Sequence, residues 1–363
     1  MPTIEFWIKK NNIQQHEFRS VDTPQVTQDN DVLLEITSVA FTANNTTYAH
    51  SGEALRYWDF FPTGDEAWGK LPVWGFATVI ESNSGEIAAG EQIYGFFPLA
   101  SHLLIQAGKI SPSGFVDAAP HRNELSPIYN RYLRIANSTG FAPDNLDLNA
   151  LLRPMFTTSF LLDDFLLDND FFGADLIISS SASSKTAYSM AFLLNKYRAD
   201  RSDYQLVGLT SDHNVRFVES LNLYDTVLSY TALPELDANA TAVYVDFAGN
   251  GKTRRTLHEH FADNLRYNAI VGGTHWDQLG TAKGLPGAKP QFFFAPAQLQ
   301  KRIGEWGREQ YQERYDTAWT NFLIEARNWI EVENHAGQEA IAKLYDEMLA
   351  NRSNPQSGYI LSL

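Results

Sequence analysis

The sequence predicts an α/β chain in two domains, a strand-rich barrel followed by a parallel sheet. Three observations carry this. At 363 residues the chain is long for one hydrophobic core. Three β runs, Asp31–Phe41, Phe76–Ser82 and Glu91–Phe97, are punctuated by Gly75, Gly85, Gly90 and Gly95, as in a small barrel with tight corners. After Ala150 the period changes. Helix-length segments then alternate with short apolar strands at Ala174–Ser179, Gln205–Thr210, Thr226–Ser229, Ala242–Phe247 and Asn268–Gly272, the βαβ pattern of a parallel sheet.

The remaining elements follow in order. Ala118–Asn149 is interrupted by Pro120, Pro127 and Pro143 and reads as linker plus insertion. Ala187–Leu194 reads as a helix behind the apolar run Leu176–Ile178. Near the end, "KPQFFFA" reads as a strand, Pro296–Arg327 as helical, Gly337–Ala350 as an amphipathic helix and "GYILSL" as a closing strand. Gly280–Pro290 is rich enough in glycine and proline for a surface loop.

Composition narrows the function. The formal net charge is −15 and the pI about 5.0, so the chain repels polyphosphate at long range and a nucleic-acid partner is not expected. Cysteine is absent, which removes disulfides, thiolate zinc sites and cysteine nucleophiles, and fits a reducing cytoplasm. No apolar run reaches membrane-spanning length and "MPTIEFWIKKNN" lacks a signal-peptide core, so a cytoplasmic location without a membrane partner is expected.

The chemistry centres on the turn between Ser179 and Ala187, which reads Ser-Ser-Ala-Ser-Ser-Lys-Thr and contains no glycine. Three readings stand. A helix N-terminus over the carboxyl edge of a parallel sheet binds anions through its free N–H groups, and serine hydroxyls with Lys185 would assist. Alternatively, Ser179-x4-Ser184-Lys185-Thr186 imitates a P-loop, with Asp246 on the acidic strand, although the wrapping glycines are serines; "GNGKT" at Gly249–Thr253 imitates one too. The plainest reading is a serine-capped helix that binds nothing.

Taken in order, the segments resemble a medium-chain dehydrogenase/reductase, specifically its zinc-free quinone-oxidoreductase branch. "DVLLEITSVAFTANNTTYAHSG" is similar to that family's strand followed by A-x-G-x-N-P-x-D and R-S-G, and "LPVWGFATVIESNSGEIAAGEQIYGFF" to P-x-x-x-G-x-x-x-x-G-x-V with V-G-D-R-V-Y-G. "FTTSFLL", "AVYVDFAGN", "AIVGGTH" and "SGYILSL" resemble later family segments in the same order. The resemblance implies a GroES-like β-barrel catalytic domain, residues 1–143 and 311–363, and a Rossmann-type cofactor domain, residues 144–310. It also implies a dinucleotide at the serine turn, held by Ser180, Ser181, Ser183, Ser184 and Lys185, with Thr157 or Thr158 lining the nicotinamide pocket and Gly249 at the end of the "AVYVDFAGN" match. At the next strand end, Thr210 and Ser211, with His213 and Arg216, favour the 2′-phosphate of NADP, while Asp212 argues for NAD.

Asn44 and Gly75-Phe76-Ala77 stand where zinc-dependent relatives carry ligands, so no metal is expected; "HEH" at His258–His260 reads as surface. Without a Lewis acid the substrate oxygen needs hydrogen-bond donors, and Tyr48, Asn44 and His50 are the candidates. Tyr48 as a packed ring and Asn44 in an Asx turn with Asn45 are the structural alternatives. The aromatic stretch Glu53–Trp74 would wall a small, planar, apolar substrate or pack on itself. "PQFFFA" matches the family's pairing strand and implies a homodimer. The resulting expectation is an NADPH-dependent reductase of a quinone or enone; the alternative is a binding or scaffold protein of the same fold that has lost its cofactor.

Overall fold

The computed structural model describes residues 2–138, 140–201, 203–272, 284–350 and 352–363. They form two compact units, one ending at Leu151 and completed by Ile330–Leu363, the other Leu152–Trp329. The second boundary falls later than the expected residue 311, because the helical stretch before it packs with the second unit.

In the first unit, β1 (Thr3–Lys9), β2 (Asn12–Val21) and β4 (Trp68–Lys70) make a three-stranded sheet. The other strands are β3 (Asp31–Phe41), β5 (Pro72–Ser82), β6 (Gln92–Pro98), β7 (His102–Ser111), β8 (Gly114–Asp117) and β9 (Arg131–Arg134). Their order β3-β5-β6-β9-β8-β7 closes on itself because β7 also pairs with β3, giving a six-stranded GroES-like barrel. Closure removes the open edges that a sheet of this size would otherwise expose. β3 is buried along almost its whole length because it pairs with β5 and β7 and, at its end, with the C-terminal β17 (Ser357–Ser362). Gly75 is required where β5 crosses the β3 irregularity, since a Cβ there would lie 2.2 Å from the Ser38 carbonyl oxygen.

The stretch expected to be linker and insertion is part of this barrel. Its β9 joins β6 to β8, and Arg122 anchors the loop before it. That guanidinium is 1% exposed, lies 2.8 Å from Asp117 and stacks 4.8 Å from the Phe61 ring centroid. The prolines that interrupt the sequence pattern start short 3-10 turns rather than ending the domain.

The second unit holds one parallel sheet made of β10 (Leu176–Ser179), β11 (Gln205–Thr210), β12 (Thr226–Ser229), β13 (Ala242–Asp246), β14 (Leu265–Ile270) and β15 (Pro290–Phe292). Its spatial order, β12-β11-β10-β13-β14-β15, is that of the Rossmann sheet, with the order reversing at β10. Helix α1 (Ala43–His50) belongs to the first unit, and the unit boundary falls inside α2 (Leu146–Asp168). Helices α3 (Lys185–Lys196), α4 (Val215–Ser220) and α5 (Gly251–Phe261) are the crossovers. The helix expected over Pro296–Arg327 is two, α6 (Ala295–Trp306) and α7 (Arg308–Ala326), broken at Gly307 with φ +82°. The last helix, α8 (Gln338–Leu349), follows β16 (Glu331–Ala336), a strand the sequence pattern did not reveal. Its burial is nearly absent, so it carries no apolar alternation to read. Gly273–His275 of the "AIVGGTH" match and Gly280–Lys283 of the expected loop lie outside the described residues.

Candidate functional site

In the second unit the serine turn joins β10 to α3 at the point where the strand order reverses. Ser180 is fully buried, and its hydroxyl donates to Asp246 Oδ1 at 2.9 Å while accepting the Phe247 and Ala248 amides at 3.0 Å each. The same Asp246 oxygen accepts the Gly249 amide at 2.9 Å. Asp246 Oδ2 takes Arg254 Nε at 2.9 Å and Nη2 at 2.6 Å. Both carboxylate oxygens are therefore engaged, Oδ2 in a buried ion pair and Oδ1 by a hydroxyl and an amide, and Asp246 is not presented to a magnesium ion. This removes the acidic strand from the P-loop reading, and Asn250 of "GNGKT" is simply the α5 cap.

Ser181 takes the left-handed conformation, φ +51°, that a dinucleotide turn normally gives to glycine. Its amide donates to the Tyr230 hydroxyl at 2.9 Å. The neighbouring amides bond to main chain: Ser180 to Val245, Ala182 to Leu209 and Ser184 to Ser181. Ser183 Oγ accepts from Thr210 at 3.4 Å and Asn214 at 3.2 Å, so it ties the turn to the end of β11. Ser184 caps α3 through the Ala187 amide. The Ser183 and Thr186 amides donate to no acceptor among the described residues, which leaves N–H groups at the α3 N-terminus for an anion. Lys185, half-buried at the first helical position, has its ammonium pushed down to about 8 by burial.

Beyond β11, Ser211 and His213 lie side by side, Oγ to Nε2 at 3.3 Å, and His213 and Arg216 are exposed. Thr210 instead points inward and is buried. Thr157 bonds back to the Arg153 carbonyl and to the Tyr315 hydroxyl at 2.9 Å each; Thr158 is half-buried. Neighbouring Ser159, which the sequence did not single out, donates to the Thr186 carbonyl at 2.8 Å and fixes the first turn of α3 against α2.

In the first unit α1 follows β3 directly. Thr42 caps it, and Asn45 completes a capping box while its amide group donates to the Pro72 carbonyl at 2.9 Å. Asn45, which the sequence offered only as a turn neighbour of Asn44, thus holds the loop. Asn44 is half-buried beside Tyr48. Tyr48 is 4% exposed and its hydroxyl accepts the Trp74 indole N–H at 3.2 Å. Burial raises its pKa, with the Tyr129 hydroxyl adding to the effect, so the phenol keeps its proton throughout the physiological range. Tyr57 and Tyr129 pair through their hydroxyls at 3.1 Å, and Tyr129 also packs on Phe96 at 4.6 Å between centroids. His50 ends α1 and is exposed.

The aromatic stretch divides in two. Trp58, Phe60 and Phe61 are core, and Trp58 rests on Gly52 and Gly69, where a Cβ would fall 2.2 and 2.3 Å from its ring. Only Tyr57, Trp68 and Trp74 remain half-buried. The "HEH" reading needs correction. His258 is fully buried between the Pro286 carbonyl, 2.8 Å, and Asn268 Oδ1, 3.0 Å, because its face of α5 packs on the sheet. His260 bonds the Leu236 carbonyl at 2.8 Å. Among the described residues no group of three or more His, Asp or Glu side chains is placed to hold a metal ion, and no helix is long and apolar enough to cross a membrane.

The fold recurs in solved structures of low sequence identity. CurA from Vibrio vulnificus superposes with a TM-score of 0.63 at 13% identity, covering 99% of this chain and 98% of that one. CurK enoyl reductase gives 0.59 at 12%, covering 100% and 99%. The yhdH oxidoreductase from Salmonella enterica in complex with NADP gives 0.53 at 12%, covering 99% of each. These are medium-chain dehydrogenase/reductase folds, as the ordered motifs implied. No curated protein sequence matches the chain. A family model matches residues 39–354, from β3 to just short of β17. The chain therefore belongs to the family described as "Protein of unknown function (DUF2855)", a divergent bearer of the medium-chain dehydrogenase/reductase fold.

Proposed function

We propose that the protein is an NADPH-dependent, zinc-independent reductase of a quinone or conjugated carbonyl. The observation that carries this is the α3 N-terminus, with Lys185 and two amides that donate to no acceptor among the described residues, at the reversal point of a Rossmann-ordered sheet. The fold shared with an oxidoreductase solved in complex with NADP supports the same reading. NADPH bound there would supply a hydride from its nicotinamide ring. Ser183 and Thr186 amides and the Lys185 ammonium would hold its pyrophosphate, and Ser211, His213 and Arg216 its 2′-phosphate. In the barrel unit, Tyr48 receives a hydrogen bond from Trp74, which leaves its own proton to give to a substrate oxygen. The half-buried rings of Tyr57 and Trp74 suit a small planar substrate.

The β15 edge supports a homodimer. Phe292 and Phe294 are 43% and 57% exposed on that edge while Phe293 turns inward. A cytoplasmic location accords with the cysteine-free composition.

A second reading, a binding protein without cofactor, draws on the turn itself, where Ser180, Ser181, Ala182 and Ser184 amides already have partners. Titration of purified protein with NADPH and NADH, followed by tryptophan quenching, separates the two. Micromolar NADPH binding with weaker NADH supports the reductase. No binding of either to folded protein leaves the binding-protein reading.

A further inference from the structure

The four amides from Ser180 to Ser184 that have acceptors are not equivalent. Three donate to main-chain carbonyls, two of them within the sheet's carboxyl edge, and these cannot be released without opening the turn. The Ser181 amide alone donates to a side chain, the Tyr230 hydroxyl, at 2.9 Å. Ser181 is also the one residue of the turn with positive φ, the geometry that lets a turn present its N–H to a pyrophosphate. Tyr230 is half-buried and opens the 3-10 segment Tyr230–Glu235 just after β12, so withdrawal of its hydroxyl from the turn requires a side-chain rotation and no change in a strand.

A second tyrosine, Tyr224, reaches the same turn and donates to the Ala182 carbonyl at 3.4 Å. Its ring is held against Gly208, where a Cβ would approach to 3.0 Å, whereas Tyr230 packs its ring against the edge of the core cluster that includes Leu176, Val207 and Tyr244. The turn is thus met by two tyrosines, one bonding a carbonyl and the other covering an amide.

We propose that Tyr230 is a lock on the phosphate site: its hydroxyl occupies the Ser181 amide, and a pyrophosphate held by the Ser183 and Thr186 amides gains the Ser181 amide, and its full affinity, only after that hydroxyl has left. The proposal rests on the reading that this turn holds a dinucleotide. Apparent affinity is then lowered by the fraction of molecules in which the contact is made. A net hydrogen bond of ordinary strength places that penalty at about 3- to 10-fold.

The test uses the full chain with inorganic pyrophosphate as probe, following the Ser181 amide resonance in the wild type, Tyr230→Phe and Tyr230→Ala. Both variants should bind pyrophosphate about 3- to 10-fold more tightly, and the Ser181 amide, no longer hydrogen-bonded, should exchange faster with solvent in the free variants. Unchanged affinity would overturn the lock. Weaker binding in Tyr230→Phe would also overturn it, since the hydroxyl would then be a ligand. Pyrophosphate that binds more tightly to the variants while NADPH binds none of the three proteins would sustain the lock and defeat the dinucleotide reading instead. Pyrophosphate binding that leaves the Ser181 resonance unmoved in every protein would overturn the lock.

Discussion

Each unit places a polar cluster near the end of a buried strand, and the two are satisfied in opposite ways. Around Asp246, at the end of β13, every oxygen has a partner of fixed role: a serine proton, a main-chain N–H, a guanidinium. Around Tyr48, just after β3, the partners are phenols, an indole and the Asn44 amide, and each phenol is able to give or accept a hydrogen bond. The first arrangement buries a charge and holds shape. The second is built around uncharged rings and keeps hydroxyl protons, which is what a donor to a reacting oxygen requires. The difference teaches that the serines of the turn are mostly architecture, whereas the phenols keep hydrogen-bonding hydroxyls of either role.

The comparison breaks most visibly at Arg254. Arg254→Ala leaves the Asp246 carboxylate buried without its cation and should destabilise the protein by about 3–5 kcal/mol, measured by urea unfolding; a loss below 1 kcal/mol would mean the pair is not a structural element. Tyr48→Phe should cost turnover of a quinone or enone substrate about 10²-fold with a small change in KM, and an unaltered rate would take Tyr48 out of the chemistry. Ser180→Gly should destabilise by about 2 kcal/mol, because the Phe247 and Ala248 amides lose their acceptor. A glycine at this position should therefore harm the fold, a result that thermal unfolding would show at once.

The smallest effect concerns Lys185. Its folded pKa of about 8 lies below its ordinary value of 10.5, so the ammonium is present below pH 8 and the contribution proposed for it in NADPH binding should fade as pH rises past it. Between pH 8 and 10.5 the unfolded chain holds the extra proton, so this group makes stability rise with pH across that window. Lys185→Met should weaken NADPH about tenfold at pH 7 and hardly at all at pH 9.5, as isothermal titration would register.

Much of the architecture was legible because it rests on periodicity. The β10–β14 strands and the closing β17 follow from short apolar runs, and each needs only its neighbours in sequence to be recognised. The position of the turn was legible for the same reason. The duties of its residues were not, since the direction of a serine hydroxyl depends on partners remote in the chain: Ser180 on Asp246, Ser183 on Asn214, Ser181 on Tyr230. Tyr129 was hidden in a proline-rich stretch with the pattern of a linker, and β9 with it, because a four-residue strand between irregular turns has no period to detect. His258 shows the opposite error: i,i+2 spacing does separate His258 from His260, and the structure buries the first while the second stays half-exposed.

The paired glycines beneath Trp58 have an optical consequence. Held between Gly52 and Gly69 and shielded from water, that indole should emit at the blue edge of the protein's fluorescence and ignore ligands. Trp74, half-exposed and hydrogen-bonded to Tyr48, should emit further to the red and respond when a planar molecule settles on it. With eight tryptophans in the chain, the shape of the emission band, more than its height, would then tell which face of the barrel unit a compound has touched.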